Sequence, residues 1–210
     1  MSKSIFDLFN DPKIVKRIQE KLPEFFYLAE LETQRAGRTG MEVGSVREKI
    51  LVSLLIYYFG RENVDTEIPI TKTEIDVKLF GVPISIKTKT GRSLAGIKIN
   101  WTVDQKNAQE YLDRYEPTCD IMFAQIIWDE LGFLYYFPLE SQKSVLEFFG
   151  KEAYIKLPTV GTNPRGIEIK SDPMKKLLEH EKTMKIEIHW TKRVTKVDTF
   201  KRWVELWEKD

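Results

Sequence analysis

The chain has 210 residues, 33 Lys and Arg against 32 Asp and Glu, a formal net charge of +1, two His and one Cys. That length is enough for a sizeable core, and 42% hydrophobic with 31% charged residues excludes a disordered chain. The near-zero charge excludes whole-molecule electrostatics as the mode of nucleic-acid binding, though not a local basic groove, and one Cys excludes a disulfide framework and every Cys-rich zinc site.

The first residues carry Asp7 and Asp11 and no apolar signal core, and the longest apolar run, near 50–59, is too short to span a bilayer. A cytoplasmic protein with no membrane attachment is expected. There is no internal repeat and no low-complexity tract.

Residues 12–34 predict a helix, with Ile14, Ile18, Leu22 and Phe26 at helical spacing. Residues 34–44 hold Gly37, Gly40 and Gly44 and predict a loop. Ser45 and Glu48 have the spacing of a capping box, opening a helix that runs to about residue 59 and stops at Gly60. That helix is apolar nearly all round after Ile50, which predicts burial.

Strand patterns follow. Over 73–80, Ile75, Val77 and Leu79 alternate with Glu74, Asp76 and Lys78. Over 82–90, Val82, Ile84 and Ile86 alternate with Ser85, Lys87 and Lys89. Gly81 between them predicts an antiparallel hairpin. A further strand is expected over 96–101 and a helix over 103–115. The apolar runs 119–128 and 133–139 predict strands joined by a turn at 129–132. A short helix over 141–149, a loop over 158–166, a helix over 172–181, a strand over 184–190 and a last helix over 199–207 complete the order. The class is mixed α/β (α+β), a central mixed β-sheet flanked by helices, read as one domain over 1–210.

The chemistry-bearing segment is 73–91. Asp76 is an acid inside a β-forming strand, and Lys87 lies on the polar face of the next strand. A hairpin turning near Gly81 brings them together, and Glu48 lies upstream, one turn into a buried helix. Carboxylates converging near one lysine suit a hard cation such as Mg²⁺, which takes few protein oxygens and a substrate phosphate. Such a cation activates water and neutralises charge on a phosphodiester, and the lysine stabilises hydroxide or the transition state. The plainer alternative is a surface ion pair, worth only about 0.2–1 kcal/mol.

Helix with Glu, strand with Asp, strand with X-Lys: over about residues 45–90 this order resembles the PD-(D/E)XK nuclease superfamily, to which most type II restriction endonucleases belong. The resemblance implies a restriction-endonuclease-like core in which Asp76 holds the metal and Lys87 is the catalytic lysine. It makes Glu48 the helical glutamate that some members use as an extra ligand. Ile75 stands where the motif has Pro, and Ser85 where it usually has Asp or Glu. Some restriction enzymes carry Ser-X-Lys there and recruit the acid from a helix. Glu48 is the first candidate for that acid, with Asp104 and Glu110 behind it. Glu48 as metal ligand and Glu48 as helix cap both stay open, and Ser85 is either a supporting hydrogen-bond partner or a plain strand residue.

The loop before the Glu48 helix holds Arg35, Arg38, Met41 and Arg47, residue types that suit phosphates and guanine. Met41 is either an apolar wedge between base steps or, as favoured, packed back on the core. Lys89, Arg92, Lys98, Asn100 and Lys106 form a second polar stretch that could follow a DNA backbone, or be a solvated surface. Lys192, Arg193, Lys196, Lys201 and Arg202 make the C-terminus basic, but acids are interleaved there. Trp203 and Trp207, four apart on a helix, are expected in the core. There is no phosphate-binding glycine loop, no nucleophile elbow, and His180 and His189 do not suggest a catalytic pair.

The resemblance implies a Mg²⁺-dependent type II endonuclease that cuts double-stranded DNA at a short palindrome, leaving 5′-phosphates, with one active site per subunit of a homodimer. Inserted elements on the nuclease domain would read the DNA. A repair nuclease or junction resolvase, and a catalytically inactive DNA-binding protein on the same fold, are the alternatives.

Overall fold

The computed structural model describes residues 3–35, 38–40, 42–69, 74–95, 97–100, 105–158, 166–192, 198 and 200–208. Two helices come first, α1 (Ile5–Asn10) and α2 (Pro12–Glu32). A short hairpin, β1 (Gln34–Arg35) and β2 (Arg38–Thr39), leads to α3 (Val43–Phe59). Then come β3 (Val64–Asp65), β4 (Val77–Leu79), β5 (Val82–Thr90), β6 (Ile97–Asn100) and α4 (Gln105–Arg114). The chain continues through β7 (Asp120–Ile126), β8 (Leu131–Phe137), α5 (Leu139–Phe149), α6 (Lys151–Tyr154), β9 (Ile155–Lys156) and β10 (Ile167–Ile169). It closes with α7 (Ser171–Leu178), β11 (Met184–His189) and α8 (Lys201–Trp207).

A six-stranded sheet runs in the order β11-β8-β7-β5-β4-β3. It is mixed: β5 and β7 are parallel, and the other pairs are antiparallel. β7 is mostly apolar, Gln125 apart after its first residue Asp120, because both its faces are covered. Met122, Ala124 and Ile126 enter one core with α1, α2 and α3, whereas Ile121 and Phe123 enter a second. The second core also takes residues of α4, α5, α7 and a three-stranded sheet ordered β6-β10-β9. The expected class is therefore the observed one.

Local chemistry accounts for the helices on the first face. Asp11 caps α2, accepting from the Lys13 N–H at 2.9 Å, and Pro12 occupies a first-turn position where no helical N–H is needed. Ile14, Ile18, Leu22 and Phe26 form its buried stripe. α3 buries Arg47, Leu51, Leu55 and Phe59 at four-residue spacing and ends at Gly60, whose φ of 93° suits glycine. Leu134, fully buried in the first core, tests this packing. Leu134→Ala should cost about 2–5 kcal/mol. A urea midpoint lowered at unchanged slope would show it, and a loss well under 1 kcal/mol would contradict the central placement of β8.

Three expectations are corrected. The 34–44 segment is not all loop, because Gln34 and Arg35 pair with Thr39 and Arg38. α3 is not buried all round: Tyr57 is 58% exposed, its ring beside Arg17. Trp207 is not core but 90% exposed, since α8 contributes no described residue to either apolar cluster. The side chain of Trp203 and most of the expected 158–166 loop lie outside the described residues. Among the described residues, no helix is long and apolar enough to cross a membrane.

Candidate active site

The β4–β5 hairpin positions the site. Leu79 pairs with Val82 across a two-residue turn in which Phe80 and Gly81 both have positive φ, 50° and 82°. That mirror-type turn matches strand twist, and glycine takes the second position without strain. The register Val77↔Ile84 sends both side chains into the first core. Alternation then places Asp76, Ser85 and Lys87 together on the opposite face.

β4 stops at Val77, and the ladder continues by one main-chain bond, from the Asp76 N–H to the Ile84 carbonyl at 3.0 Å. At the next ladder position the Asp76 side chain stands in for a strand, its Oδ2 accepting from the Ile86 N–H at 2.5 Å. Ser85, 3% exposed, donates its Oγ proton to the same oxygen at 3.3 Å. Lys87 Nζ lies 3.5 Å away from it. Three donors on one strand thus converge on one carboxylate at an opening in the sheet.

Glu48, in the early turns of α3, lies close enough to Asp76 and Lys87 to feel both charges. Burial pushes its carboxyl up to about 6, the Asp76 charge adds to the rise, and Lys87 opposes it. A pair of mutually repelling carboxylates beside a lysine is a place where a cation is favoured. The capping expectation for Glu48 is corrected: α3 begins at Val43 with Glu42 at its cap and no side-chain cap bond, so Ser45 is already inside the helix. Among the described residues, no group of three or more His, Cys, Asp or Glu forms a metal site. Two carboxylates nevertheless fit Mg²⁺, which binds through one or two of them and completes its shell with water and substrate oxygens.

Glu74 is a residue that sequence reasoning passed over. It accepts from the Tyr111 hydroxyl of α4 and from the Thr118 hydroxyl, the latter at 3.0 Å. These bonds tie the chain entering Asp76 to the second-core side. The signal was present in the 73–80 alternation, which puts Glu74 on the face of Asp76. Beside it, the buried Cys119 thiol is pushed up to about 11 by burial first and by Glu74 next, which leaves it uncharged at neutral pH. Glu110 lies exposed on α4, and Asp104 is outside the described residues.

The expected DNA contacts are scattered. Arg47 is corrected: it is 3% exposed and paired with Glu30, because α3 turns it inward onto α2. Arg38 is exposed on β2. Lys89 is half-buried, its pKa lowered by burial while Glu168 opposes and Lys156 adds to the shift. Arg92 is exposed and makes a bidentate contact with Glu130, at 3.1 and 2.5 Å. Lys98 and Asn100 lie on β6, opposite Glu168 and Ile167 of β10. Met41 and Arg193 lie outside the described residues, as do the side chains of Arg35 and Lys106.

Comparison with known proteins meets this geometry. The family model described as Restriction endonuclease ThaI matches residues 8–209. A solved structure described as a restriction endonuclease in complex with substrate DNA is 51% identical to the chain. The match covers 97% of this chain and 98% of that one, with a TM-score of 0.91. No curated protein matches. The chain belongs to the restriction endonuclease ThaI family, and with it to the site-specific deoxyribonucleases.

Proposed function

We propose that the protein is a Mg²⁺-dependent type II restriction endonuclease of the PD-(D/E)XK kind. It hydrolyses both strands of double-stranded DNA at a short palindromic site, as a cytoplasmic homodimer with one active site per strand. Residues 1–210 form one nuclease domain with inserted recognition elements. The observation that carries this reading is the convergence of Lys87, Ser85 and the Ile86 N–H on Asp76, with Glu48 beside it. The DNA-bound relative supports the choice of substrate.

Asp76 and Glu48 would hold the cation, which when bound supplies charge neutralisation on the phosphodiester and activation of water. Lys87, on the rigid strand β5, stabilises negative charge on the attacking water oxygen and in the transition state. The water oxygen forms a bond to phosphorus, the bond from phosphorus to the 3′ oxygen breaks, and the 3′ oxygen takes up a proton. A 5′-phosphate and a 3′-hydroxyl result. Ser85 holds Asp76 in place by its hydrogen bond. Arg38, Lys89, Arg92, Lys98 and Asn100 offer contacts to the DNA backbone or bases, and Arg35, Met41 and Lys106 belong to the same proposed recognition surface.

The end chemistry is directly testable. Fragments from a Mg²⁺ digest should be rejoined by DNA ligase without prior kinase treatment. Ends that ligate only after phosphorylation would contradict the assignment.

A further inference from the structure

We infer that Glu30 and Arg47 are positioning residues for Glu48, holding the early turns of α3 so that its carboxylate faces Asp76. The inference rests on the proposal that Glu48 and Asp76 hold the cation. Glu30 lies near the C-terminal end of α2 and Arg47 near the start of α3, 7% and 3% exposed. Arg47 Nη2 donates to Glu30 Oε1, and the Trp128 indole N–H donates to the same oxygen at 2.8 Å. Arg47 Nη1 donates to Thr90 Oγ1 at 2.9 Å, and its guanidinium carbon lies 5.5 Å from the centre of the Phe26 ring.

One buried pair therefore joins α2, α3, the end of β5 and Trp128, two residues past β7. Burying two charges is costly, and a well-packed apolar pair is often as stable. What the ion pair adds is direction, because a planar guanidinium fork admits few orientations. α3 has particular need of that. Its first turn lacks a side-chain cap, and its first two buried residues are Arg47 and Leu51. Glu48 sits between these two anchors. Successive helix residues diverge by about 100°, so Arg47 can turn inward to Thr90 while Glu48 faces the hairpin. Asp76 is already tied to β5 by one main-chain bond and by its carboxylate's bond from the Ile86 N–H, and Thr90 lies three residues beyond Lys87 on the same strand. The Arg47–Thr90 bond thus sets α3 against the strand that carries the lysine, and a shift of about 1 Å at such a site can cost about 10²-fold in rate.

The test is a Mg²⁺ titration of cleavage at saturating DNA for the full-length protein carrying Glu30→Gln, Arg47→Lys or Thr90→Val. Glu30→Gln and Arg47→Lys should raise the half-saturating Mg²⁺ concentration about tenfold or more, as loss of supporting partners does at metal sites. Thr90→Val, which removes one hydrogen bond and is the variant least prone to misfold, should shift it about threefold in the same direction. DNA affinity in EDTA should stay within about twofold of wild type, since none of the three residues is placed at the DNA. Ile188→Ala, buried on the distant strand β11, is the control for lost stability alone: its melting temperature should fall with no change in Mg²⁺ requirement. Wild-type Mg²⁺ requirements in Thr90→Val and either charge variant would overturn the inference. Glu48→Gln separates the two claims, because an unchanged Mg²⁺ requirement there would sink the underlying metal assignment.

Discussion

Asp76→Asn should lower the cleavage rate by about 10³-fold or more, because it removes the charge on which both cation and lysine depend. The substitution keeps shape, and its amide oxygen can still accept from the Ile86 N–H and the Ser85 hydroxyl, so the hairpin should survive. Two readouts make the expectation specific. DNA binding in EDTA should persist, since a carboxylate contributes no attraction to phosphates. The wild-type melting temperature should rise on adding Mg²⁺, by roughly 5–10 °C at a hundredfold excess over Kd, and this rise should vanish in the variant. A variant that melts and binds like wild type yet cuts at more than a tenth of its rate would remove Asp76 from the chemistry.

Lys87→Ala should cost about 10²–10⁴-fold in cleavage, with a different signature. Lys87 contributes charge at the site but is no ligand, so the Mg²⁺-dependent rise in melting temperature should remain. It should even be reached at lower Mg²⁺, because the cation loses a repelling neighbour 3.5 Å from Asp76 Oδ2. Lys87→Arg keeps the charge but replaces a compact ammonium with a broad fork, and should recover little activity. Loss of the melting shift in Lys87→Ala would mean that the lysine maintains the cation site and not the reaction. Together the two variants separate cation binding from transition-state stabilisation.

The hairpin at the heart of the site was legible because two strong local signals agreed: strict alternation on both strands and Gly81 between them. β7 and β8 were legible for their largely apolar runs. The start of α3 was misread for a local reason. Ser45 and Glu48 have capping spacing, but spacing alone does not show where the backbone enters the helix, and it does so at Val43. Arg47 was misread for a non-local one. Its partner is 17 residues away, and an arginine in a basic, glycine-bearing stretch looks like a DNA contact until Glu30 is seen opposite it. A clue was available: Glu30 follows Phe26 by four residues, on the apolar stripe of α2, where an acid needs a buried cation. The strands β9 and β10 have two and three residues, too few to show a period, and only their pairing defines them.

The measurement that bears most directly on the whole account is a digest of a mixed-sequence plasmid or phage DNA by the wild-type protein, in Mg²⁺ and in EDTA, run beside Asp76→Asn. Discrete bands in Mg²⁺, none in EDTA and none from the variant are the expected result, and sequencing of the ends then gives the site and the stagger. Equal cutting in EDTA, or intact DNA in both Mg²⁺ and Mn²⁺, would contradict a cation-dependent site built on Asp76, Glu48 and Lys87.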